Sequence, residues 1–281
     1  MELPTRVYQK ENNVGFFTLL SESLQDIKSS LFLARQLAVR DISAQYRQSV
    51  LGIIWAFITP LVTALVWIIL NNSGAVKISD TGLPYPVFVI SGTILWSIIT
   101  EAISSPISST NSAKGILSKI NFPKEALIAS GVFKLLFNVL PKILIMIIFM
   151  FFYGVSFQFS MLLFPLILFG AIFFGTTLGF FITPIGMLYK DVSKLISMGL
   201  KFLMYATPVV FSIPEKGVLK PIMEWNPITP ILVTARDFLV GSTPEYLVYF
   251  LIVIAICIPL FFIGLVLYRI SIPIIVERLN A

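Results

Sequence analysis

Apolar residues collect into six long stretches along this chain, and most charged residues lie between those stretches. The stretches cover about residues 50–71, 85–110, 126–153, 161–187, 195–213 and 246–270. Each is close to or above the roughly 20 residues that an α-helix needs to cross a bilayer. No period-two alternation is present, and hydrocarbon offers no water to unpaired backbone groups. The pattern therefore predicts an all-α integral membrane protein with six transmembrane helices.

The composition favours a membrane protein over a water-soluble one. Hydrophobic residues make up 57% of the 281 residues and charged residues 12%, and the mean hydropathy is +0.93. So few polar residues cannot cover a soluble core of this size. We interpret the chain as a single transmembrane domain, 1–281, with a segment 1–49, a six-helix bundle 50–270 and a tail 271–281.

Lysine and arginine are divided unequally between the two sides of the predicted bundle. Thirteen lie on the side that holds both termini: Arg6, Lys10, Lys28, Arg35, Arg40, Arg47, Lys114, Lys119, Lys124, Lys190, Lys194, Arg269 and Arg278. Four lie on the other side: Lys77, Lys216, Lys220 and Arg236. Because cytoplasmic loops carry the excess of these residues, both termini are predicted to be cytoplasmic. The net charge of +6 then indicates contact with anionic membrane lipids rather than with nucleic acid.

A segment before the first span, 16–37, has apolar residues at helical spacing. They are Phe16, Leu20, Leu24, Ile27 and Leu31. This pattern predicts an amphipathic helix lying on the cytoplasmic membrane surface. The alternative is a helix packed on a soluble domain, but the sequence contains no such domain.

Two further segments outside the spans are more apolar than free loops. Residues 111–125 place Ile116, Leu117, Ile120 and Phe122 among lysines. They could form an ordinary amphipathic turn, or they could be covered by lipid headgroups or by a soluble partner. Residues 214–244 are broken at Asn226-Pro227 and Thr229-Pro230. We predict two short helices there, which re-enter the outer leaflet or close over a cavity.

Several polar residues lie within or at the edge of the predicted spans: Glu101, Lys134, Asn138, Lys142 and Lys201. Lys134, Asn138 and Lys142 are four residues apart, so they share one face of the third span. Intramembrane ionisable groups usually face a bundle interior or water. Lys134 and Lys201 could instead extend to the membrane edge, and the sequence leaves open whether Glu101 pairs with a lysine.

The sequence argues against several kinds of chemistry. It contains no histidine, its single Cys257 lies in an apolar run, and no phosphate-binding G-x-x-x-x-G-K-[ST] motif is present. A membrane-embedded transferase would need clustered carboxylates, whereas Asp41, Asp191 and Glu277 are scattered. A secondary transporter would usually show repeated halves and polar residues at mid-membrane, and neither is evident.

Five short motifs resemble a known family in the same order. They are the 40–55 segment R-D-I-S-A-Q-Y-R-Q-S-V-L-G-I-I-W followed by Pro60, Leu83-Pro84-Tyr85-Pro86 with Gly92 and Trp96, Asn121-Phe122-Pro123-Lys124-Glu125, Tyr189-Lys190-Asp191-Val192, and Asn226-Pro227-Ile228-Thr229 with Arg236. Each is weak alone, but together they cover essentially the whole chain. The chain resembles the permease subunits of polysaccharide-exporting ABC transporters, such as exporters of O-antigen and teichoic acid.

That resemblance implies a homodimer that works with two copies of a separate ABC ATPase. The substrate would be a lipid-linked polysaccharide of lipopolysaccharide or teichoic-acid biosynthesis, carried through a channel between the two copies in a bacterial cytoplasmic (inner) membrane. ATP and Mg would bind the partner ATPase, so this chain would be a transport subunit with no cofactor and no enzyme activity of its own. An ABC exporter of a lipid or a drug, or less readily a secondary transporter, is the alternative.

The resemblance also gives roles to particular residues. The ATPase-coupling segment would contain Lys114, Ile116, Leu117, Lys119, Ile120 and Phe122; the cytoplasmic entrance and gate would contain Arg40, Arg47, Tyr189, Lys190 and Asp191; and the periplasmic gate would contain Trp225, Asn226, Pro227 and Arg236. Arg40, Arg47 and Lys190 could bind a carrier pyrophosphate, or they could be ordinary cytoplasmic charge. Aromatic rings can hold sugars without fixing them, which makes channel candidates of Trp55, Trp96, Tyr205 and Phe211. They could equally be packing or interfacial aromatics.

Overall fold

The computed structural model describes residues 15–47, 49–74, 82–117 and 119–280. Within these ranges the chain forms eleven α-helices and no strand. The helices are α1 (Phe16–Ser29), α2 (Leu31–Tyr46), α3 (Trp55–Asn72), α4 (Tyr85–Ser112), α5 (Lys114–Leu117), α6 (Glu125–Phe152), α7 (Phe164–Leu188), α8 (Lys190–Leu203), α9 (Leu219–Trp225), α10 (Thr229–Val240) and α11 (Leu247–Asn280). Short 3₁₀ turns at Gly52–Ile54, Phe159–Leu163 and Met204–Ala206 precede α3, precede α7 and follow α8.

Five of these elements are long and apolar enough to cross a bilayer. They are Gly52–Asn72, Tyr85–Ser112, Glu125–Phe152, Phe159–Leu188 and Leu247–Arg278. Five of the six predicted spans are thus confirmed as long apolar helices. Each contains an internal proline, such as Pro60 in α3 and Pro141 in α6. Transmembrane helices tolerate these prolines because neighbouring groups pair with the backbone oxygen that each one leaves free.

Helix α4 occupies the centre of the bundle, with α6 and α7 packed against it and α11 packed behind α7. The close approach of α7 depends on small residues. A Cβ added at Gly179 would lie 2.6 Å from the backbone oxygen of Ile103, so only glycine fits there. Most residues of the N-terminal two thirds of α4 are buried, and α4 therefore supports the residues that line its remaining open face.

Helix α3 lies at the edge of the bundle. Of its eighteen residues only Ala64 is buried, while Val62, Leu65, Val66 and Ile69 are exposed. Phe57, Trp67 and Ile68 still pack partly against the core formed with α4 and α6. One side of α3 is therefore held by the subunit, and the other is free to contact lipid or another chain.

The predicted fifth span at 195–213 differs from the structure. Helix α8 begins earlier, at Lys190, so it includes the charged residues of the turn as well as Lys201. It ends at Leu203, and after a 3₁₀ turn Thr207 is extended. A proline disfavours the α conformation for the residue before it, and Thr207 directly precedes Pro208. This segment is consequently a short amphipathic helix with a broken end, not a long apolar helix.

The N-terminal segment also differs from the single helix predicted over 16–37. The chain leaves helical geometry at Ser30, whose hydroxyl donates to the backbone oxygen of Asp26. Helix α2 then continues to Tyr46 and buries Ala34, Leu37 and Ala38 on the α6 side. Serine readily makes such local backbone hydrogen bonds, which compete with a continuous helix.

Candidate functional site

An open groove follows the exposed face of α4. A cavity of about 450 Å³ lies between α2, α3, α4 and α6, and a second, of about 370 Å³, lies between α4, α7 and α8. Trp96, Thr100 and Glu101 line both cavities. The groove therefore runs past both edge helices, α3 and α8, and has the size of ordinary ligand sites.

Glu101 is the centre of a polar cluster in this groove. Its carboxylate forms an ion pair with Lys142 Nζ at 2.7 Å and accepts a hydrogen bond from the Asn138 amide. The structure thus answers the question that the sequence left open. Asn138 and Lys142 are one turn apart on α6, so both side chains reach the same carboxylate across the α4–α6 contact. Pairing of this kind is what makes an ionisable group tolerable inside a membrane protein.

A third, smaller cavity of about 190 Å³ extends this polar region toward the C-terminal end of α4. It is lined by Gln45, Glu101, Ser104, Ser105, Ser108, Ser109, Gly131, Lys134, Leu135 and Asn138. A Cβ at Gly131 would lie 2.5 Å from Ser105 Oγ, so glycine leaves room for the serine side chains. Lys134 is therefore directed toward a polar cavity, in line with its predicted face.

The four aromatic residues proposed for the channel occupy different places. Trp55 and Trp96 line the 450 Å³ cavity together. Tyr205 is exposed in the 3₁₀ turn after α8, and Phe211 packs against the main core. The structure therefore brings two of the four rings to one cavity and leaves the other two outside it.

The cations proposed for the cytoplasmic entrance have distinct surroundings. The Arg40 guanidinium donates two hydrogen bonds to Asp41 at 2.9 and 2.6 Å, and Asp41 also accepts one from the Ser112 hydroxyl. Arg47 is exposed, as are Tyr189 and Asp191. The Lys190 side chain lies outside the described part of the chain. Arg40 is therefore engaged in fixing α2 to the end of α4, whereas Arg47 faces solvent.

The predicted coupling segment forms the short helix α5 and the turn after it. Leu117 is 6% exposed and packs with Leu37, Ala113 and Leu127, while Ile120 is 59% exposed. Lys114 and Lys119 are exposed as well, and Ile116 and Phe122 are partly buried. Lys124 Nζ lies 4.9 Å from the centre of the Phe122 ring, and burial lowers the pKa of Lys124 against the opposing effect of Glu125. The outward surface of this segment thus consists of Ile120 flanked by lysines.

At the opposite end of the bundle, Arg236 is buried and binds the broken segment that follows α8. Its guanidinium donates to the backbone oxygens of Phe88 at 3.0 Å, Pro208 at 2.5 Å and Val209, and it lies 3.6 Å from the centre of the Phe88 ring. The Pro208 and Val209 oxygens lie in the non-helical stretch after α8, and burial without a donor would be costly, whereas the Phe88 oxygen also accepts from the Ser91 hydroxyl within α4. Arg236 therefore joins α10, α4 and the broken segment, a role that its placement on a loop in the sequence did not suggest.

Asn226 binds the same segment from the other side. Its amide donates to the Ala206 oxygen at 3.0 Å and to Thr207 Oγ1 at 2.8 Å, and its own oxygen accepts from the Ile228 amide at 2.9 Å. Pro227 and Trp225 are exposed, Trp225 by 82%. The sequence correctly predicted two short helices here, α9 and α10, and the structure brings Asn226 and Arg236 together around 206–209.

Replacing Gly92 with alanine is expected to disrupt this assembly. A Cβ at Gly92 would overlap both the Arg236 guanidinium and the Val209 backbone oxygen. Because backbone cannot move aside easily, we expect a loss of about 1–3 kcal/mol, as for other overpacked sites. Thermal unfolding of the purified protein in detergent measures the effect. Gly199→Ala, where a Cβ meets nothing within 4 Å, is the matched control and should unfold at the wild-type temperature or above.

Sequence reasoning missed a further ionic cluster near the other end of the bundle. Arg269 of α11 contacts Glu22 at 2.9 Å, Asp26 at 2.7 Å and Glu125 at 2.5 Å. Ser23 also donates to Glu125, which is 2% exposed. The sequence did hold one signal, since Glu22 and Asp26 are four residues apart on one face of α1. That spacing predicts an acidic face, but not the distant arginine that it contacts.

Comparison with known proteins agrees with the sequence motifs. The profile of the family described as ABC-2 type transporter matches residues 33–240. An O-antigen export system permease protein RfbA of Klebsiella pneumoniae is 26% identical over 212 residues, which cover 74% of this chain and 80% of that protein. The protein of the same name from Myxococcus xanthus is 24% identical over 200 residues, covering 70% of this chain and 75% of that protein.

Proposed function

The chain belongs to the ABC-2 type transporter family, and from that premise we propose that it is the permease of an ATP-driven polysaccharide exporter. Such membrane domains normally lack a nucleotide-binding domain and pair with ATPase subunits. The observation that carries the proposal is the similarity to O-antigen export permeases over about three quarters of the chain. The substrate would be a lipid-linked polysaccharide of O-antigen or teichoic-acid type, exported across a bacterial cytoplasmic membrane.

We infer that the chain crosses the membrane six times, with α8 and the broken segment as the fifth crossing. Ser193 of α8 lines a cavity with Ile107 of α4, and the Val209 oxygen lies beside Phe88 and Gly92. Residues 92 and 107 are about 22 Å apart along α4, which is most of a hydrocarbon core of about 30 Å. Non-helical backbone is tolerated at that depth only when protein covers it, and the contacts from Asn226 and Arg236 provide this cover. With six crossings both termini would lie on the same side, and the excess of lysine and arginine there favours the cytoplasmic side.

We propose that two copies of the chain enclose the transport channel. Helix α8 has no buried residue among its described side chains, and α3 has one. These two helices flank the groove along α4, so a second copy facing the groove would cover them and close it. A continuous channel between subunits suits a long polymer, since a polymer cannot be enclosed in one alternating pocket. Exposed Arg47 lies at the cytoplasmic end of this path and would bind a carrier pyrophosphate.

The exposed apolar side chains of α1 and α2 support a position on the cytoplasmic membrane surface. Phe16, Phe17, Leu24, Leu31 and Phe32 face outward, while the acidic side chains of α1 bind Arg269 on the inward side. A helix with this distribution can lie in the headgroup region. The N-terminal helices would then lie beside the proposed entrance.

Replacing Ile120 with glutamate is expected to uncouple transport from ATP hydrolysis while leaving the permease folded. Ile120 is the exposed apolar residue of the segment proposed to contact the ATPase, and a glutamate there would replace an apolar contact with a charge that loses its water on docking. We expect co-purification of the ATPase to fall by about tenfold or more, together with loss of polymer at the cell surface. The thermal unfolding of the permease alone should stay unchanged.

Leu117→Ala provides the contrasting variant. Leu117 is buried against α2 and α6, so its truncation should lower the stability of the permease by about 2–5 kcal/mol without altering the exposed surface. Wild-type ATPase recovery and normal export by Ile120→Glu would contradict the coupling assignment.

Deletion of the chain from its host tests the export function itself. Cells without it should accumulate lipid-linked polymer on the cytoplasmic side and lose polymer from the surface, and the wild-type chain should restore both. Unchanged surface polymer, with a different lipid or small molecule retained inside the cells, would favour an exporter of lipid or drug instead.

A further inference from the structure

We propose that the 450 Å³ cavity beside Glu101, within each subunit, is a binding site for uncharged, hydroxyl-rich sugar units. This proposal rests on the proposed export function and specifies which part of the substrate this site recognises. It places a sugar-binding site in the groove between α2, α3, α4 and α6 rather than only along the interface between two copies. Three features of the cavity carry it: its hydroxyl groups, an unpaired amide oxygen and its balance of charge.

The serine and threonine hydroxyl groups of the cavity present acceptors and not donors. Five serine and threonine residues line it: Thr59, Thr63, Thr93, Ser97 and Thr100. Each donates its single hydrogen to a backbone oxygen three or four residues earlier in its own helix, at 2.8–3.0 Å. A carbonyl can only accept, so the direction of these bonds is fixed. The lone pairs that remain on the hydroxyl oxygens therefore require a ligand that donates.

An amide oxygen in the cavity wall also needs a hydrogen-bond donor. The Asn138 amide nitrogen donates to Glu101, while Asn138 Oδ1 is buried and has no hydrogen-bond partner in the structure. Buried polar atoms of native proteins nearly always have a partner, from protein, water or ligand. Asn138 lines the cavity, so a small shift of its side chain would bring this oxygen to a hydroxyl group of a bound molecule, which can supply the missing donor.

The balance of charge argues against an anionic ligand. Glu101 and Lys142 are the two charged side chains that line this cavity, and they are paired with each other at 2.7 Å. The donors of the wall outside this ion pair, on Gln45, Tyr46 and the two indoles, are neutral, so a phosphate would meet no uncompensated cation. A neutral polyol offers one donor for each hydroxyl group, which matches the wall.

The apolar part of the cavity suits the other face of a sugar. Trp55 and Trp96 line it, with 51% and 7% of their surface exposed, so Trp55 offers most of the apolar ring surface against which the CH groups of a pyranose can pack. The volume lies within the usual range of about 300–1,000 Å³ for small-molecule sites. Rings and acceptors together favour a sugar unit over an acyl chain, which would leave the acceptors unpaired.

Tryptophan fluorescence of the full-length chain in lipid nanodiscs tests the proposal. The chain has four tryptophans, so Trp67→Phe with Trp225→Phe leaves Trp55 and Trp96 as the reporters. We expect maltoheptaose, as a neutral probe, to give a saturable change with a dissociation constant in the millimolar range. Sodium pyrophosphate and an oligogalacturonate of equal length should give none at matched ionic strength.

Variants then assign the response to the proposed contacts. Asn138→Leu removes the unpaired oxygen while Lys142 still pairs with Glu101, so the chain should fold and bind maltoheptaose about five- to tenfold more weakly. Thr100→Val should weaken binding as well. Thr183→Val removes an equivalent hydroxyl, which bonds to the Gly179 oxygen in α7 away from these cavities, and should bind as the unsubstituted reporter does.

Three results would overturn the proposal: no saturable response to maltoheptaose, a response to pyrophosphate in its place, or a response that Asn138→Leu and Thr100→Val leave unchanged. Each of these is separate from the export function, which is judged by polymer on the surface of cells carrying the wild-type chain. Export with no sugar response would remove this site and leave the transporter. A retained sugar response without export would keep this site and remove the exporter assignment.

Discussion

Leucine at position 236 is expected to prevent stable folding of the end of the bundle formed by α9, α10 and the start of α4. Arg236 donates to three backbone oxygens on two separate segments, at Phe88, Pro208 and Val209. The Phe88 oxygen would keep the Ser91 hydroxyl as a donor, but the other two would be left without one at about 1–3 kcal/mol each, so the variant should lose at least about 2 kcal/mol. This is a large share of the total stability of most domains. The yield of folded protein and its thermal unfolding in detergent measure the loss.

Two comparison variants separate geometry from charge. Arg236→Lys keeps the charge but offers a point donor in place of the planar fork, so it should recover only part of the stability. Lys220→Leu removes a cation from α9 whose partner, Glu224, lies 3.8 Å away at the surface, and should change stability by less than about 0.5 kcal/mol. If Arg236→Leu unfolds at the same temperature as the wild type, the broken segment does not depend on this side chain.

Alanine at position 269 is expected to release α1 from the bundle. Arg269 is the cation contacted by Glu22, Asp26 and Glu125, and its removal leaves a buried carboxylate beside two others. Breaking a buried pair in this way typically costs about 3–5 kcal/mol. Limited proteolysis should cut the chain near residue 30 in the variant and spare it in the wild type.

Two further variants test the electrostatic origin of this effect. Arg269→Lys keeps the positive charge, so it should recover part of the protection against cleavage. Arg278→Ala, at an exposed position near the end of α11, is the control and should leave cleavage unchanged. An Arg269→Lys protein that is cleaved as fast as Arg269→Ala would point to lost packing instead of unpaired charge.

Hydrophobic patterning was sufficient to predict most of the fold. Long uninterrupted apolar runs have few alternatives in a bilayer, so α3, α4, α6 and α7 could be located to within about five residues. Helix α11 begins where it was predicted but continues to Asn280, through the predicted tail. The two short helices between 214 and 244 followed from apolar residues interrupted by Asn-Pro and Thr-Pro.

Patterning failed where a local feature competes with it. The 195–213 run is apolar at its end, but Pro208 stops the helix and the charged turn at 190–194 belongs to the helix and not to a loop. Ser30 divides the N-terminal segment in a similar way, through a hydrogen bond to the Asp26 oxygen. Both breaks depend on one or two residues, whereas hydropathy averages over many.

The candidate sites were predictable as residue types but not as partners. Asn138 and Lys142 could be assigned to one face from their spacing, yet their common contact, Glu101, is 37 and 41 residues away. The separation between Arg269 and Glu22 is 247 residues. Single-sequence periodicity carries no information on such pairs. Arg236 is the clearest case. The sequence places it in a predicted outer loop, whereas in the structure it is buried against the backbone of Pro208 and Val209. That backbone lies next to Arg236 only in the folded chain.

Helix α3 buries little surface within its own subunit, and this should affect the stability of the protein in detergent. A helix that contributes one buried residue, Ala64, to its own subunit gains much of its anchorage from whatever lies on its other side. If that neighbour is a second copy, mass action links helix attachment to protein concentration. Dilution should then lower the melting temperature and open the 49–54 linker to proteases, and concentrating the sample should reverse both.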